Sequence, residues 1–156
     1  MGSGEVGESR RTGLNRRFYV KDINRKNIGR IGLSMAINYF TCKGYTVSIP
    51  MNDTQWYDIV IEKDGKFETV QCKATSTESK TIDFRSTGGT KGAAYDNLLN
   101  HSELDYLFCV DSDFNMWLIP IKEITTTKQV TLRTEPTKNG QGFQTHKYRV
   151  QFSDKA

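Results

Sequence analysis

No stretch of this chain is apolar for long enough to cross a bilayer. Met1 to Gly13 also lacks the apolar core of a secretion signal. Membrane insertion and export are therefore not expected, and a cytoplasmic setting is. Cysteine is scarce: Cys42, Cys72 and Cys109 are odd in number and form no CxxC pair. That spacing argues against a disulfide framework or a structural zinc. The two histidines, His101 and His146, stand far apart, and each is expected at the surface rather than on a metal. No GxxxxGK[ST] loop occurs, so a phosphate-cradling nucleotide site has no support. Internal repeats are absent as well.

One further absence is local. From Arg25 to Asn38 there is no Asp or Glu. Basic residues crowd the same region: Arg10, Arg11, Arg16, Arg17, Lys21, Arg25, Lys26 and Arg30 face one acid, Asp22, while the whole chain nets only +4. The basic excess thus sits in one early segment and the remainder is net acidic. Such a segment suits a polyanion, with counterion release supplying affinity. A solvated arm is the plainer alternative.

The 156 residues suit one domain with a sizeable core. A glycine-rich, apolar-poor stretch precedes a helix from Asn24, on which Ile28, Ile31, Gly32, Met35, Ala36 and Tyr39 share one face. Asn27, Arg30, Ser34, Asn38 and Thr41 make the opposite face, Leu33, Ile37 and Phe40 flank the stripe, and Gly44 ends the helix. Tyr45–Ile49 reads as a strand. Tyr57–Ile61 and Phe67–Lys73 read as a hairpin about Asp64-Gly65. Thr81–Arg85 alternates like a third strand of the same sheet. Tyr106–Val110 reads as a doubly buried strand with Met116–Pro120 as its return. A short helix is expected over Ile121–Thr127. Val130–Arg133 and Tyr148–Phe152 are expected to pair as a C-terminal β-hairpin. The order indicates an α/β fold with a mixed sheet.

The hairpin carries the chemistry. Pairing across the turn sets Asp58 beside Gln71 and Lys73, which lie two apart and so share a face. A carboxylate, the Gln71 amide oxygen and the main-chain carbonyl of Cys72 form a hard oxygen set suited to Mg²⁺. Lys73 beside it suits stabilising charge on a phosphoryl group, and phosphodiester hydrolysis uses such a set. A strand-capping Asp58 with Gln71 and Lys73 turned to solvent is the reading without chemistry. Arg85, Lys91 and Arg133 are further candidates for base or phosphate contact.

The helix, the strand, YDIV at Tyr57–Val60, the hairpin turn and VQCK at Val70–Lys73 together resemble the PD-(D/E)XK (restriction-endonuclease-like) nuclease superfamily. They are most similar to the group I intron homing endonucleases of cyanobacteria and their phages, in which Gln replaces the acid of the (D/E)XK element. Arg85-Ser86-Thr87-Gly88-Gly89 and the pair Tyr106–Val110 with Trp117–Pro120 resemble that branch too. The resemblance implies a core of mixed sheet flanked by helices over residues 24–127. A flexible basic arm over 1–23 and a β extension over 128–156 would complete the chain. It implies a metal site at Asp58 with Gln71 and Lys73 completing the centre, double-stranded DNA as substrate, and a homodimer or homotetramer in a prokaryotic or phage-infected cell. The family usually carries a helix Glu in a pattern like IGEIGE. Here the stretch is Ile28-Gly29-Arg30-Ile31-Gly32-Leu33, and Leu33 holds the acid's position. Either Asp58 suffices, or Asp53 or Asp83 substitutes, or the chain binds DNA and cuts poorly. A structure-specific junction resolvase is a further alternative.

Overall fold

The computed structural model describes residues 25–85 and 96–155. Helix α1 spans Arg25–Cys42. Its polar face is exposed as the pattern requires, while Gly32, Ala36, Tyr39 and Phe40 are buried. Phe40, expected only to flank the stripe, lies at its centre. The helix closes with paired end bonds, Tyr45 N–H to the Phe40 carbonyl and Gly44 N–H to the Thr41 carbonyl, both at 3.0 Å. Gly44 supplies the left-handed turn at φ 81°, and the Phe40 and Tyr45 rings meet edge to face at 5.4 Å.

Among the described residues, six strands form the main sheet: β1 (Thr46–Ser48), β2 (Ile59–Lys63), β3 (Lys66–Ala74), β5 (Tyr106–Val110), β6 (Met116–Pro120) and β8 (Arg149–Val150), in that spatial order. Only β3 and β5 run parallel. The β2–β3 hairpin turns through Asp64 and Gly65, both at positive φ, with Lys63 opposite Lys66.

Strand β3 is shared unevenly. Lys66 to Val70 pairs with β2, whereas Val70 to Ala74 pairs with β5. Past Val70 the sheet therefore parts, and among the described residues no strand lines the β2-side flank of β3. The candidate residues lie at this parting.

Helix α1 covers one face, packing Ala36 and Phe40 on Ile59, Ile61, Val70, Phe108 and Val110. Among the described residues, the expected flanking helices are represented by α1 alone. The opposite face, with Leu107, Cys109, Trp117 and Ile119, is covered by a two-stranded ribbon of β4 (Thr81–Asp83) and β7 (Gln129–Thr131), through Ile82, Phe84, Val130 and Leu132. The Trp117 indole N–H donates to the Arg133 carbonyl at 3.0 Å and ties the ribbon down.

Three expectations need correction. Thr81–Arg85 does not join the main sheet, because β2 and β5 already take both sides of β3, so β4 pairs with β7 instead. The C-terminal hairpin does not form: β7 pairs with β4, and β8 with β6. Buried Thr145, in the turn before β8, holds that turn to the first segment: its hydroxyl donates to the Thr131 carbonyl (2.7 Å) and accepts from Arg133 N–H (3.0 Å). The helix expected over Ile121–Thr127 shrinks to one 3₁₀ turn, Ile121–Glu123.

Gly32 sets how closely α1 approaches β3. A Cβ there would stand 3.3 Å from the Ala74 Cβ and from the Lys73 carbonyl carbon. Gly29, one turn earlier, has nothing within 4 Å. Gly32→Leu should therefore lower the unfolding free energy by about 1–3 kcal/mol by overpacking. Gly29→Ala should raise it by roughly 0.5–1 kcal/mol. Urea midpoints of the two variants, moving in opposite directions from the parent, check this.

Candidate active site

Asp58 stands one residue before β2. Its N–H donates to the Val70 carbonyl at 2.9 Å, and its carboxylate Oδ2 accepts the Cys72 N–H at 2.7 Å. The side chain thus occupies the flank that β2 vacates. Register pairing with β3 ends at Ile59 opposite Val70, so Asp58 stands at the parting, where the Gln71–Lys73 half of β3 begins. Burial pushes the Asp58 carboxyl above the usual carboxylate range, against the opposing pull of the Cys72 N–H and the Lys73 charge.

The N–H and C=O of one strand residue point to the same side. With its N–H on Asp58, Cys72 therefore turns its carbonyl toward the same vacated flank. Its side chain goes to the α1 face with Val70 and Ala74, where burial pushes the thiol well above its ordinary pKa. A neutral thiol is no ligand, so only the main chain of Cys72 is available.

Gln71 and Lys73 alternate to the opposite face, in register with Leu107 and Cys109 of β5, and both are half-buried. Lys73 lies in register with Cys109. Its charge favours the ionised form of Asp58 and also of Asp83, so the ammonium sits within electrostatic reach of both carboxylates.

The oxygens of Asp58, Gln71 and Cys72 suit a hard divalent cation in kind. The charge is low. Among the described residues no three His, Cys, Asp or Glu side chains gather as a metal cluster. Leu33 is half-buried and packs on the α1-side core. Its helical neighbour Gly32 touches the Lys73 backbone, so position 33 is one residue from the site and offers no oxygen. Asp53 is exposed on the loop before Asp58. Asp83 is held by Arg85: Nε lies 3.0 Å from Oδ1 and Nη2 lies 2.6 Å from Oδ2. These contacts bring the Asp83 pKa down to about 2.

The basic candidates are spread. Arg30 is exposed on the polar face of α1, and Arg133 is exposed with its main chain anchored by Trp117 and Thr145. Arg85 is exposed and paired. Arg25 and Lys26 open α1. Arg10, Arg11, Arg16, Arg17, Lys21 and Lys91 lie outside the described residues.

One nearby arrangement has no sequence signal. The Trp56 and His101 rings stack 4.1 Å apart, 45 residues apart in the chain. His101 also pairs with Asp96 at 2.7 Å and Glu103 at 3.3 Å. The expectation of a solitary surface histidine misses this cluster, since no spacing rule joins its members. The Asp83–Arg85 pair was legible, because positions two apart on a strand share a face.

Comparison with known proteins bears on the family and the fold. Residues 23–153 match the family model described as PD-(D/E)XK endonuclease. Protein 5.3 of Escherichia phage T7 is 36% identical over 77 residues, 47% of this chain. The aligned region spans 65% of that relative's length. Among solved structures, the bacterial homing endonuclease I-Ssp6803I superposes with a TM-score of 0.59 at 20% identity. The match covers 81% of this chain and 87% of the other, and at that identity it speaks to the fold. With the family model spanning α1, the parted sheet and the covering ribbon, the chain belongs to the PD-(D/E)XK endonuclease family.

Proposed function

We propose that this protein is a site-specific endonuclease of the homing type, hydrolysing phosphodiester bonds of double-stranded DNA with a divalent cation, Mg²⁺ by the hardness of its ligands. The observation that carries the proposal is the Asp58 carboxylate seated on the Cys72 N–H, between Gln71 and Lys73 in the chain, at the parting of the sheet, with the Lys73 charge in reach. In this reading Asp58, the Gln71 amide oxygen and the Cys72 carbonyl hold the cation. A bound divalent cation supplies charge neutralisation at the phosphate and a more acidic water. Lys73 donates to the scissile phosphate or its attacking water and stabilises the charge that accumulates there. The segment Arg10–Arg30, with Arg85, Lys91 and Arg133, contributes phosphate and base contacts. A dimer or tetramer would bring one centre to each strand of a symmetric site.

Leu33 favours a second reading, a DNA-binding protein of nuclease ancestry with impaired cleavage. An apolar residue packed on the core, one step from Lys73, leaves a single carboxylate to hold a doubly charged ion.

Burial of Asp58 carries a cost with a definite sign. Its folded pKa is raised above the ordinary 3.8, so the folded state binds that proton more tightly. The stability contributed at this position falls as pH rises from the ordinary carboxylate range through the raised value. Asn keeps an oxygen for the Cys72 N–H without the charge. Asp58→Asn should therefore raise the metal-free thermal midpoint at pH 7 by roughly one to a few degrees, narrow that gain at acid pH, and abolish cleavage. Scanning calorimetry at the two pH values, beside a plasmid assay, reads all three.

On supercoiled plasmids carrying a target library with Mg²⁺, Lys73→Ala should cut at least about 10²-fold more slowly than the parent. Equal rates would remove Lys73 from the chemistry. Leu33→Glu separates the two readings. A gain of roughly tenfold or more in rate, with a lower Mg²⁺ requirement, assigns the acid position to α1. Unchanged cutting by an already active parent shows that the site works without it.

A further inference from the structure

The sheet holds Asp58 from one side. Its N–H reaches the Val70 carbonyl, and pairing with β3 begins one residue later, at Ile59. On the other side, residues 49–57 join β1 to β2 as a loop. Among the described residues, no bond between main-chain groups ties 49–57 to another segment. The side-chain bonds of Gln55 to the Asn52 carbonyl and of Thr54 to Gln55 stay inside the loop. Packing is what fastens it. Trp56 and Tyr57 lie against the ribbon-side core, and the Trp56 indole stacks on the His101 ring at 4.1 Å with 20° between the planes.

His101 is the fixed partner of the two. Its N–H donates to the Leu98 carbonyl at 3.3 Å, and its carbonyl accepts the Leu104 N–H at 3.2 Å. Leu98 and Leu104 are both buried in that same core. The neighbouring Asn97 side chain donates to the Thr127 carbonyl at 2.7 Å. Both ring nitrogens of His101 are engaged as well: Nε2 lies 2.7 Å from Asp96 Oδ2, and Nδ1 lies 3.3 Å from Glu103 Oε1. Turning the ring would lose both carboxylates, so its edges are taken and its face is left for the indole. The stack acts on Asp58 through the chain, two residues on from Trp56. With no oxygen at Leu33, a cation depends on this one carboxylate, and a ligand that must first be ordered binds more weakly than one already in place.

Resting on the nuclease reading above, we infer that Trp56 and His101 are positioning residues of the candidate centre: their stack holds the loop that delivers Asp58, so that the carboxylate keeps the orientation in which it accepts from Cys72 N–H and can ligate a cation. Loss of either ring frees the loop to swing about Tyr57 and lets the carboxylate leave Cys72. The loop lies outside the pairing of the sheet, so its release costs the centre more than it costs the fold.

The test uses the full chain with a mixed-sequence duplex. Manganese(II) retained by the protein–duplex complex is read by electron paramagnetic resonance, corrected for the duplex alone. His101→Ala and Trp56→Leu should each weaken retention roughly tenfold, and Asp58→Asn should abolish it. The two ring losses combined should weaken it no further, because the rings act as one contact. His101→Phe keeps a ring for the indole and should restore retention to within about threefold of the parent. Duplex affinity without metal should be unchanged in every ring variant. Should His101→Ala fail to fold, Trp56→Leu carries the same comparison from the loop side. Losses that multiply in the double variant, or a folded His101→Phe as weak as the alanine variant, overturn the stacking role. A lower urea midpoint with full retention makes the stack a structural contact and overturns it too. Loss in Asp58→Asn with none in the ring variants overturns the positioning role and leaves the Asp58 site standing. No change in Asp58→Asn overturns the metal-site reading, and this inference with it.

Discussion

The divided pairing of β3 is the constraint on which the rest of the molecule depends. One strand serves an antiparallel neighbour along its first half and a parallel neighbour along its second, with Val70 common to both. A strand with two full-length neighbours has no main-chain group to spare. Here the β2-side groups of the second half need another partner, because a buried unpaired N–H is costly. The Asp58 carboxylate meets that need for Cys72. Hydrogen-bond accounting of the backbone thus places a half-buried carboxylate beside Gln71 and Lys73 before any ligand is considered.

The parallel step from β3 to β5 has a second effect. Parallel strands require a long crossover, and in this chain part of it returns over the sheet as β4. That path lays Ile82 and Phe84 on the sheet face that bears Cys109, the residue in register with Lys73, while Gly32 seats α1 against the Lys73 backbone from the other side. Lys73 is therefore bracketed by a helix behind and a ribbon in front. Its charge is shared between a carboxylate that burial discourages from ionising and one that an arginine holds ionised.

Local features of the fold were legible in the sequence. Asp64-Gly65 gave the hairpin register, which in turn brought Asp58 beside the far end of β3. Glycine at position 44 gave the helix end, and the apolar run at 106–110 gave the central strand. Strand partners were not legible. Alternation at Thr81–Arg85 specifies a half-buried strand, yet it cannot say that both sides of β3 are already taken. The missing C-terminal hairpin has the same cause, since Thr145 holds the turn before β8 to Thr131 and Arg133 through a hydroxyl that no periodicity reports. At the site, Asp58, Gln71 and Lys73 could be named from spacing. The bond between the Asp58 carboxylate and Cys72 N–H could not, because it depends on where β2 stops. The Trp56–His101 stack needs the tertiary path outright.

Among the described residues the sheet is bounded by very short strands, three residues in β1 and two in β8. Long bare edges are templates on which a second chain can lay a strand. Edges this short offer few main-chain bonds to a newcomer. Where many copies are held at high local density, as on a shared polymer, their sheets gain little by zipping into one another. Crowding can then raise occupancy without seeding a fibre.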